Sequence, residues 1–482
     1  MLIKATAVYL AANVFSAIFG FVNVTVFTRV FPTESFGDYL LGLSFATVFS
    51  TFLGTSLKLW IVRNQSRGDG TDVRGVALAG LLICIVLLPL GYGTARLAGL
   101  KPSIALAAIG LSFAVVVFES SQEVLRAQQM STAFLRGTMA RAVLVSAFGI
   151  SCVLISKSGA MLLGASSIAF LLATLTFWRT AWGSAAPRVE IRLLRELAIN
   201  GLPLTLSLSL MTFSGMADRF LIANLSGIAA AGKFGASLDL VRQCLIIPAI
   251  SASSAFVPMS VRLMAAGGPK ATRLHLETCL ELLLAIVLPA SIGFAIVSPQ
   301  ISDLILGPDF RQAAREAMPV LSIAVVFQIL NQQYLHTSFL LSNRNIFWFV
   351  STGVALSLNI ALAFLLIPSF GIIGAVWGRF AAEALGCGCS LWLSAYSFPM
   401  PFPGRRVLRV LVAVGLMAIA LRISEAAVQN WGAEALLVLI PVGIIVYGAA
   451  AWLLNLAGAR AAGRQFYIQF MSPASFWRRH LA

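Results

Sequence analysis

The stretch Phe370–Ala384, FGIIGAVWGRFAAEA, is a run of small and apolar residues that predicts a helix. It nevertheless contains Arg379 and Glu383, four residues apart. A charged side chain that faces lipid in a transmembrane helix costs at least a few kcal/mol, so such a side chain normally faces a cavity or a partner. The four-residue spacing puts both charges on one face of the helix, where they can pair with each other.

The rest of the chain is as apolar as this stretch. Its 482 residues are 59% hydrophobic and only 11% charged, with a mean hydropathy of +0.91. A soluble protein has about a quarter of its residues charged. Apolar runs of about 20 residues recur from end to end, and each could cross roughly 30 Å of hydrocarbon as a helix. The composition therefore predicts an all-α polytopic membrane protein with about fourteen transmembrane helices. We expect these helices near residues 6–29, 37–59, 75–98, 103–125, 137–156, 159–180, 198–224, 231–258, 277–298, 316–341, 346–368, 371–396, 407–424 and 434–456.

The basic residues predict the orientation of these helices. The net charge is +16, but lysine and arginine lie between the apolar segments rather than along one polar face, so nucleic acid is not an expected partner. With the N-terminus in the cytoplasm, 23 of the 34 basic residues fall on the cytoplasmic side, nine on the other side and two within spans. Cytoplasmic loops are enriched in lysine and arginine. Both termini are therefore predicted to be cytoplasmic.

The six cysteines do not predict a metal site. All of them lie in apolar segments, and Cys387 and Cys389 would point about 200° apart on one helix. Small buried side chains are the expected role for such cysteines. We predict no metal, no cofactor and no catalytic residue.

A short pattern occurs twice in the chain. The first predicted helix ends in TRVFPTESFGDYLL, with Gly37 opening the next helix. The seventh ends in DRFLIANLSGIAAAGKFGASL, with Gly232 opening the eighth. Six spans separate the two copies, so both would have the same orientation. Internal repeats are how many transporters build two lobes around a central path.

These segments resemble a known family. LNIALAFLLIPSFGIIGAVWGRF (Leu358–Phe380) is similar to the stretch that joins helices eleven and twelve in bacterial polysaccharide transporters, the Wzx-type lipid-linked oligosaccharide flippases of the MOP superfamily. The two copies of the repeated pattern are similar to that family too. The resemblance covers nearly the whole chain, and IPSFGIIGA is its most specific part.

The resemblance implies an architecture and an activity. It implies an N-terminal lobe of six helices (1–182), a C-terminal lobe of six helices (183–398) and two extra helices with a cytoplasmic tail (399–482) around a central cavity. It also implies export of repeat units linked to undecaprenyl diphosphate, by alternating access, across the bacterial inner membrane. The expected partners are that lipid-linked oligosaccharide, membrane lipids, and the polysaccharide polymerase and export machinery.

Charged and amide side chains within the predicted helices are the candidate substrate contacts. A lipid diphosphate carries about two negative charges, and arginine can bind phosphate oxygens through its planar fork. The candidate residues are Arg29, Asp218, Arg219, Asp239, Arg242, Asn331, Gln332, Arg379 and Glu383.

Local pairing is the alternative for the charges. Asp239 with Arg242, Glu123 with Arg126, and Arg379 with Glu383 have the spacing of helical ion pairs. Asp218 and Arg219 are adjacent and point about 100° apart, so they are not expected to pair with each other. The amides in FQILNQQYLH (Phe327–His336) could bind sugar hydroxyls, or they could bind neighbouring helices, which is the commoner use.

Two other functions compete with the flippase. A cation-coupled multidrug exporter of the same superfamily is expected to bind its substrate through carboxylates, whereas this interior offers arginine as readily as aspartate or glutamate. A membrane glycosyltransferase or polymerase needs an ordered acid/base or metal site. The sequence contains no cluster of His, Asp and Glu with metal-ligand spacing.

Overall fold

The computed structural model describes residues 2–65 and 73–460, and these form helices and short connections without a β-strand. The all-α prediction is therefore confirmed. The α-helices are α1 (Leu2–Val30), α2 (Thr33–Gln65), α3 (Val73–Val86), α4 (Leu88–Leu97), α5 (Pro102–Ala127), α6 (Ser131–Ile155), α7 (Gly159–Leu175), α8 (Trp178–Trp182), α9 (Ile191–Ser226), α10 (Ile228–Ile305), α11 (Pro308–Ile329), α12 (His336–Leu341), α13 (Asn345–Ala395), α14 (Gly404–Val428) and α15 (Leu436–Leu453). A π-helical segment (Leu330–Leu335) joins α11 to α12, and a 3₁₀ segment (Gln429–Ala435) joins α14 to α15.

Within the described residues, seven continuous helical stretches are long and apolar enough to cross a membrane, or eight if the bent pair α3–α4 counts as one span. They are Thr33–Asn64, Pro102–Ala127, Ser131–Ile155, Ile228–Ile305, Pro308–Leu341, Ile346–Ala395 and Gly404–Leu453. The number fourteen stays a prediction.

Three of these stretches fold back on themselves at a glycine with a positive φ. The backbone turns at Gly268 in α10, at Gly371 in α13 and at Gly432 between α14 and α15. In α13, a Cβ on Gly374 would collide with the carbonyl of Leu366, eight residues earlier. Those two residues would be about 12 Å apart in a straight helix, so the two arms of α13 are antiparallel. Glycine adopts a positive φ without strain because it has no Cβ, which explains why these three turns fall at glycines.

The chain divides into two compact units. The first unit consists of Met1–Leu240, Ile305–Ala317 and Ala355–Arg379, and the second of Val241–Leu304, Met318–Val354 and the chain from Phe380 on. The predicted lobe boundaries at 182 and 398 stay a prediction. The predicted cytoplasmic tail lies largely outside the described residues, which end at Arg460, as does Arg67 among the basic residues that predict the topology.

In the first unit, the two copies of the repeated pattern contact each other. A Cβ on Gly37 would collide with the carbonyl oxygen of Ile228, and a Cβ on Gly232 would lie 2.7 Å from the carbonyl oxygen of Thr33. Each glycine therefore packs against the carbonyl four residues before the other glycine. This reciprocal contact brings the starts of α2 and α10 together in a nearly two-fold arrangement, and only glycine leaves room for it.

Candidate functional site

Two adjacent charged residues on α9, Asp218 and Arg219, form the centre of the candidate site in the first unit. Both are buried, with 3% and 2% of their surface exposed. Successive residues on a helix point about 100° apart, so the two side chains reach different neighbours. The structure confirms that they do not pair with each other: each has its own oppositely charged partner.

Asp218 is held by both arms of α13. Asn359, on the first arm, donates from Nδ2 to Asp218 Oδ1 at 2.6 Å. Arg379, on the second arm, donates from Nη1 to Asp218 Oδ2. Arg379 is only 1% exposed, so this ion pair lies deep inside the unit. The turn at Gly371 is what places Asn359 and Arg379, twenty residues apart, on one carboxylate.

Arg219 connects α9 to α2 and α10. Its Nη1 donates to Ser44 Oγ at 2.8 Å, and its Nη2 forms an ion pair with Asp239. A Cβ on Gly235 would lie 3.3 Å from Arg219 Nε, so this glycine gives the guanidinium room. The carboxylate of Asp239 is about one-third exposed, unlike that of Asp218.

These two clusters neutralise charge inside an apolar unit. A buried ion pair loses its hydration, and it is tolerated only when geometry and additional hydrogen bonds compensate for that loss. Asn359 and Ser44 supply those extra bonds.

The second unit contains Arg242 and the amides. Arg242 Nη2 donates to Gln328 Oε1 at 3.4 Å. The amides lie in the π-helical segment, a kind of turn that is frequent at functional sites. Asn331 is buried and its Oδ1 has no hydrogen-bond partner among the described residues, whereas Gln332 is half-buried.

The neighbouring polar residues form hydrogen bonds to other segments of the second unit, which is the commoner role of such side chains. Ser253 donates to Gln333 Oε1 at 2.6 Å, and the Tyr334 hydroxyl donates to the carbonyl oxygen of Pro401 at 2.7 Å. His336 is 3.2 Å from Ser351 Oγ through its Nε2. Asn331 and Gln332 therefore remain the candidates for substrate in this segment.

The last two candidates are more accessible. Arg29 is exposed at the end of α1 in the first unit, and Glu383 is half-buried on α13 in the second unit. The expected local pair of Glu123 with Arg126 is confirmed, with 2.9 Å between Oε1 and Nη1.

Sequence reasoning missed Ser44 and Asn359. Both are single polar residues in apolar helices. The side chains of such residues commonly form hydrogen bonds to the backbone of their own helix, as the Ser44 hydroxyl does by donating to Leu40 O at 2.7 Å. The only available signal was that buried Asp218 and Arg219 each needed a partner.

The family follows from the sequence of the first half of the chain. Residues 2–264, more than half of the chain, match the family described as polysaccharide biosynthesis protein. The chain belongs to this family. No curated protein matches the chain closely enough to add to this assignment.

Solved structures confirm the fold of this polysaccharide biosynthesis protein. It is similar to the lipid II flippase MurJ in an inward closed conformation, with a TM-score of 0.74, 14% identity, and coverage of 92% of this chain and 98% of that chain. It is also similar to an inward-facing multidrug resistance MATE transporter of the MOP superfamily (TM-score 0.63, 15% identity, 81% and 98% coverage). A third relative is a MOP superfamily transporter from Pyrococcus furiosus (TM-score 0.58, 13% identity, 82% and 95% coverage).

The resemblance to the polysaccharide family is therefore confirmed by the family match, and the solved structures show the fold of MOP superfamily transporters. This member of the polysaccharide biosynthesis family has the MOP transporter fold and is a multi-pass membrane protein.

Proposed function

We propose that this protein is a flippase that moves undecaprenyl-diphosphate-linked oligosaccharide repeat units from the cytoplasmic to the periplasmic leaflet by alternating access. It would act in the bacterial inner membrane, with both termini in the cytoplasm, in exopolysaccharide, O-antigen or capsule synthesis. The main supporting observation is its membership of the polysaccharide biosynthesis family, together with a fold like that of a lipid II flippase.

The candidate site fits a substrate with an anionic head and a polar glycan. Arginine stays charged in a low-dielectric interior and can bind two phosphate oxygens at once. Asp218 and Asp239 form ion pairs with Arg379 and Arg219, respectively. A diphosphate would compete with these carboxylates for the two arginines, at the cost of breaking the buried pairs.

Arg29 and Arg242 complete the proposed set of cationic contacts, and Glu383 is proposed to position the site. Asn331 and Gln332 are proposed to bind sugar hydroxyls, because Asn331 has a buried carbonyl oxygen that still lacks a donor among the described residues. A hydroxyl group of a sugar is such a donor.

A cation-coupled multidrug exporter is the alternative, because MATE transporters share the fold. An exporter of lipophilic cations needs carboxylates that are free to bind them. Asp218 is buried and bound by Arg379 and Asn359, and Asp239 is bound by Arg219. The same pairs also occupy Arg379 and Arg219, so the membership of the polysaccharide biosynthesis family is what favours the lipid-linked substrate. A membrane glycosyltransferase or polymerase is the other alternative.

Transport by the purified full-length protein in proteoliposomes tests these functions. The substrate is a fluorescent oligosaccharide linked to undecaprenyl diphosphate, and its arrival in the opposite leaflet is measured by its loss of fluorescence to an impermeant quencher. We expect faster translocation than in protein-free liposomes, with the mass of the substrate unchanged. Ethidium is the probe for the exporter, and a change in glycan mass is the sign of an enzyme.

Arg242→Gln is expected to reduce translocation at least tenfold, because a neutral amide cannot balance the charge of a diphosphate. The matched control is Arg136→Gln, which removes an exposed arginine from α6. Translocation of ethidium instead of the lipid-linked sugar would contradict the proposed function.

A further inference from the structure

Arg141 on α6 is held against two aromatic rings in the first unit. Its guanidinium carbon lies 5.6 Å from the ring centre of Phe118 on α5 and 5.5 Å from that of Phe170 on α7. The two rings contact each other edge to face, with 5.4 Å between their centres. Cation–π contacts of this kind fix the position of a guanidinium group without neutralising its charge.

The charge of Arg141 is not cancelled within the described part of the chain. No described carboxylate lies within ion-pair distance of it, its Nη2 donates only a long bond of 3.3 Å to Ser16 Oγ, and its buried Nε has no hydrogen-bond partner there. Arg219 and Arg379, by contrast, each have an aspartate. Arg141 therefore keeps both its charge and part of its hydrogen-bonding capacity.

The ion pair nearest to Arg141 does not balance its charge. Glu119 follows Phe118 on α5 and interacts with Arg141 only at longer range. Its carboxylate is already bound by Lys58, with 2.6 Å between Nζ and Oε2. With the adjacent pair of Glu123 and Arg126, three cations and two anions thus lie in this region of the first unit.

The position of Arg141 within the apolar helix α6 makes an unbalanced charge expensive. It lies ten residues into α6, about 15 Å along the helix axis from Ser131. A cation inside a helix that is apolar enough to cross a membrane, as Ser131–Ile155 is, faces a partner or a water-filled space. The residue as a whole is only half-buried, although its Nε is buried.

We propose that Arg141 binds the diphosphate group of the lipid-linked substrate, an inference that rests on the proposed function. The rings of Phe118 and Phe170 hold the guanidinium group and leave its N–H edge for the ligand. That edge matches two oxygens of a phosphate, whereas a lysine ammonium would bind as a point charge.

Binding of undecaprenyl diphosphate to the full-length protein in phosphatidylcholine nanodiscs tests the inference. Arg141→Gln is expected to weaken binding about tenfold or more, since a charge-assisted hydrogen bond contributes about 1.5–3 kcal/mol. Arg136→Gln, on the same helix but exposed, is expected to change it less than about twofold. Undecaprenol, which has no phosphate, should bind equally to the wild type and to Arg141→Gln.

The outcomes separate this inference from the proposed function. A wild-type protein that does not bind undecaprenyl diphosphate overturns both. Normal binding by a folded Arg141→Gln variant overturns only the role of Arg141, as does weaker undecaprenol binding, which would show a general packing defect. Equal affinity for inorganic diphosphate and for the lipid would assign the site to a free anion instead.

Arg141→Lys keeps the proposal testable if Arg141→Gln does not fold. Lysine preserves the charge but not the planar fork, so binding is expected to weaken at least about threefold. Unchanged affinity in Arg141→Lys overturns the proposal.

Discussion

At the scale of single residues, the stability of the folded protein depends on the ion pair of Asp218 with Arg379. Asp218→Asn leaves the buried guanidinium of Arg379 without its aspartate, and breaking a buried pair in this way costs about 3–5 kcal/mol. We expect a clear drop in the thermal unfolding midpoint of the detergent-solubilised protein. Adding Arg379→Gln to this variant removes the buried charge that has lost its aspartate and should recover part of the loss.

Glu123→Gln is the matched control, because Arg126 in that pair is 53% exposed and such pairs contribute at most about 1 kcal/mol. A double variant that is no more stable than Asp218→Asn would show that the charge of Arg379 is not the cause.

The sequence identifies the charged members of this site but not their partners. Asp218, Arg219 and Arg379 are conspicuous because a charge within an apolar segment needs a partner or a polar cavity. The oppositely charged partner is remote in sequence, since Arg379 is 161 positions from Asp218. Local spacing instead favours Glu383 for Arg379, an interaction that stays a prediction. Only the fold decides which remote groups meet.

At the scale of helices, the crossing of α2 and α10 depends on Gly37 and Gly232. Gly232→Ala would put a methyl group 2.7 Å from the backbone oxygen of Thr33, and the backbone cannot move aside cheaply. Overpacking of this kind typically costs about 1–3 kcal/mol. We expect Gly37→Ala and Gly232→Ala each to lower the unfolding midpoint.

The double variant distinguishes a shared crossing from two separate defects. Once one methyl group separates the helices, the second costs less, so the two losses should not add. Gly388→Ala is the control, since its Cβ would meet no atom within 4 Å and alanine is the better helix former. Additive losses would contradict a reciprocal contact.

Helix type is easier to predict than helix ends. The polar stretch 299–315 is expected to connect two spans, yet α10 continues to Ile305 and α11 begins at Pro308. Likewise α9 begins at Ile191, seven residues before the predicted span at 198. Hydropathy reports the part of a helix that can lie in hydrocarbon, whereas backbone hydrogen bonding continues beyond it.

At the scale of the whole molecule, composition predicts a polytopic membrane protein, but the glycine turns determine how often the chain crosses the membrane. Apolar runs of about 20 residues indicate many spans, and this needs no knowledge of partners. Whether α13 crosses the membrane once or twice depends on Gly371. Its 51 residues would measure about 77 Å as a straight helix, far more than the roughly 30 Å of hydrocarbon.

The topology prediction is therefore a test of that turn. Pro308, exposed at the start of α11, and Arg405, exposed at the start of α14, are replaced singly by cysteine in a variant without native cysteines. Arg405 serves better than Arg406, which lies within 4 Å of Glu277 and Glu281.

If α11–α12 crosses once and the antiparallel arms of α13 each cross once, three crossings separate the two positions. An impermeant maleimide added to intact cells with a permeable outer membrane should then label the cysteine at 308 and not the one at 405, which becomes reactive only after lysis. Labelling of both from the same side would mean an even number of crossings, and the cytoplasmic placement of both termini would be wrong as well.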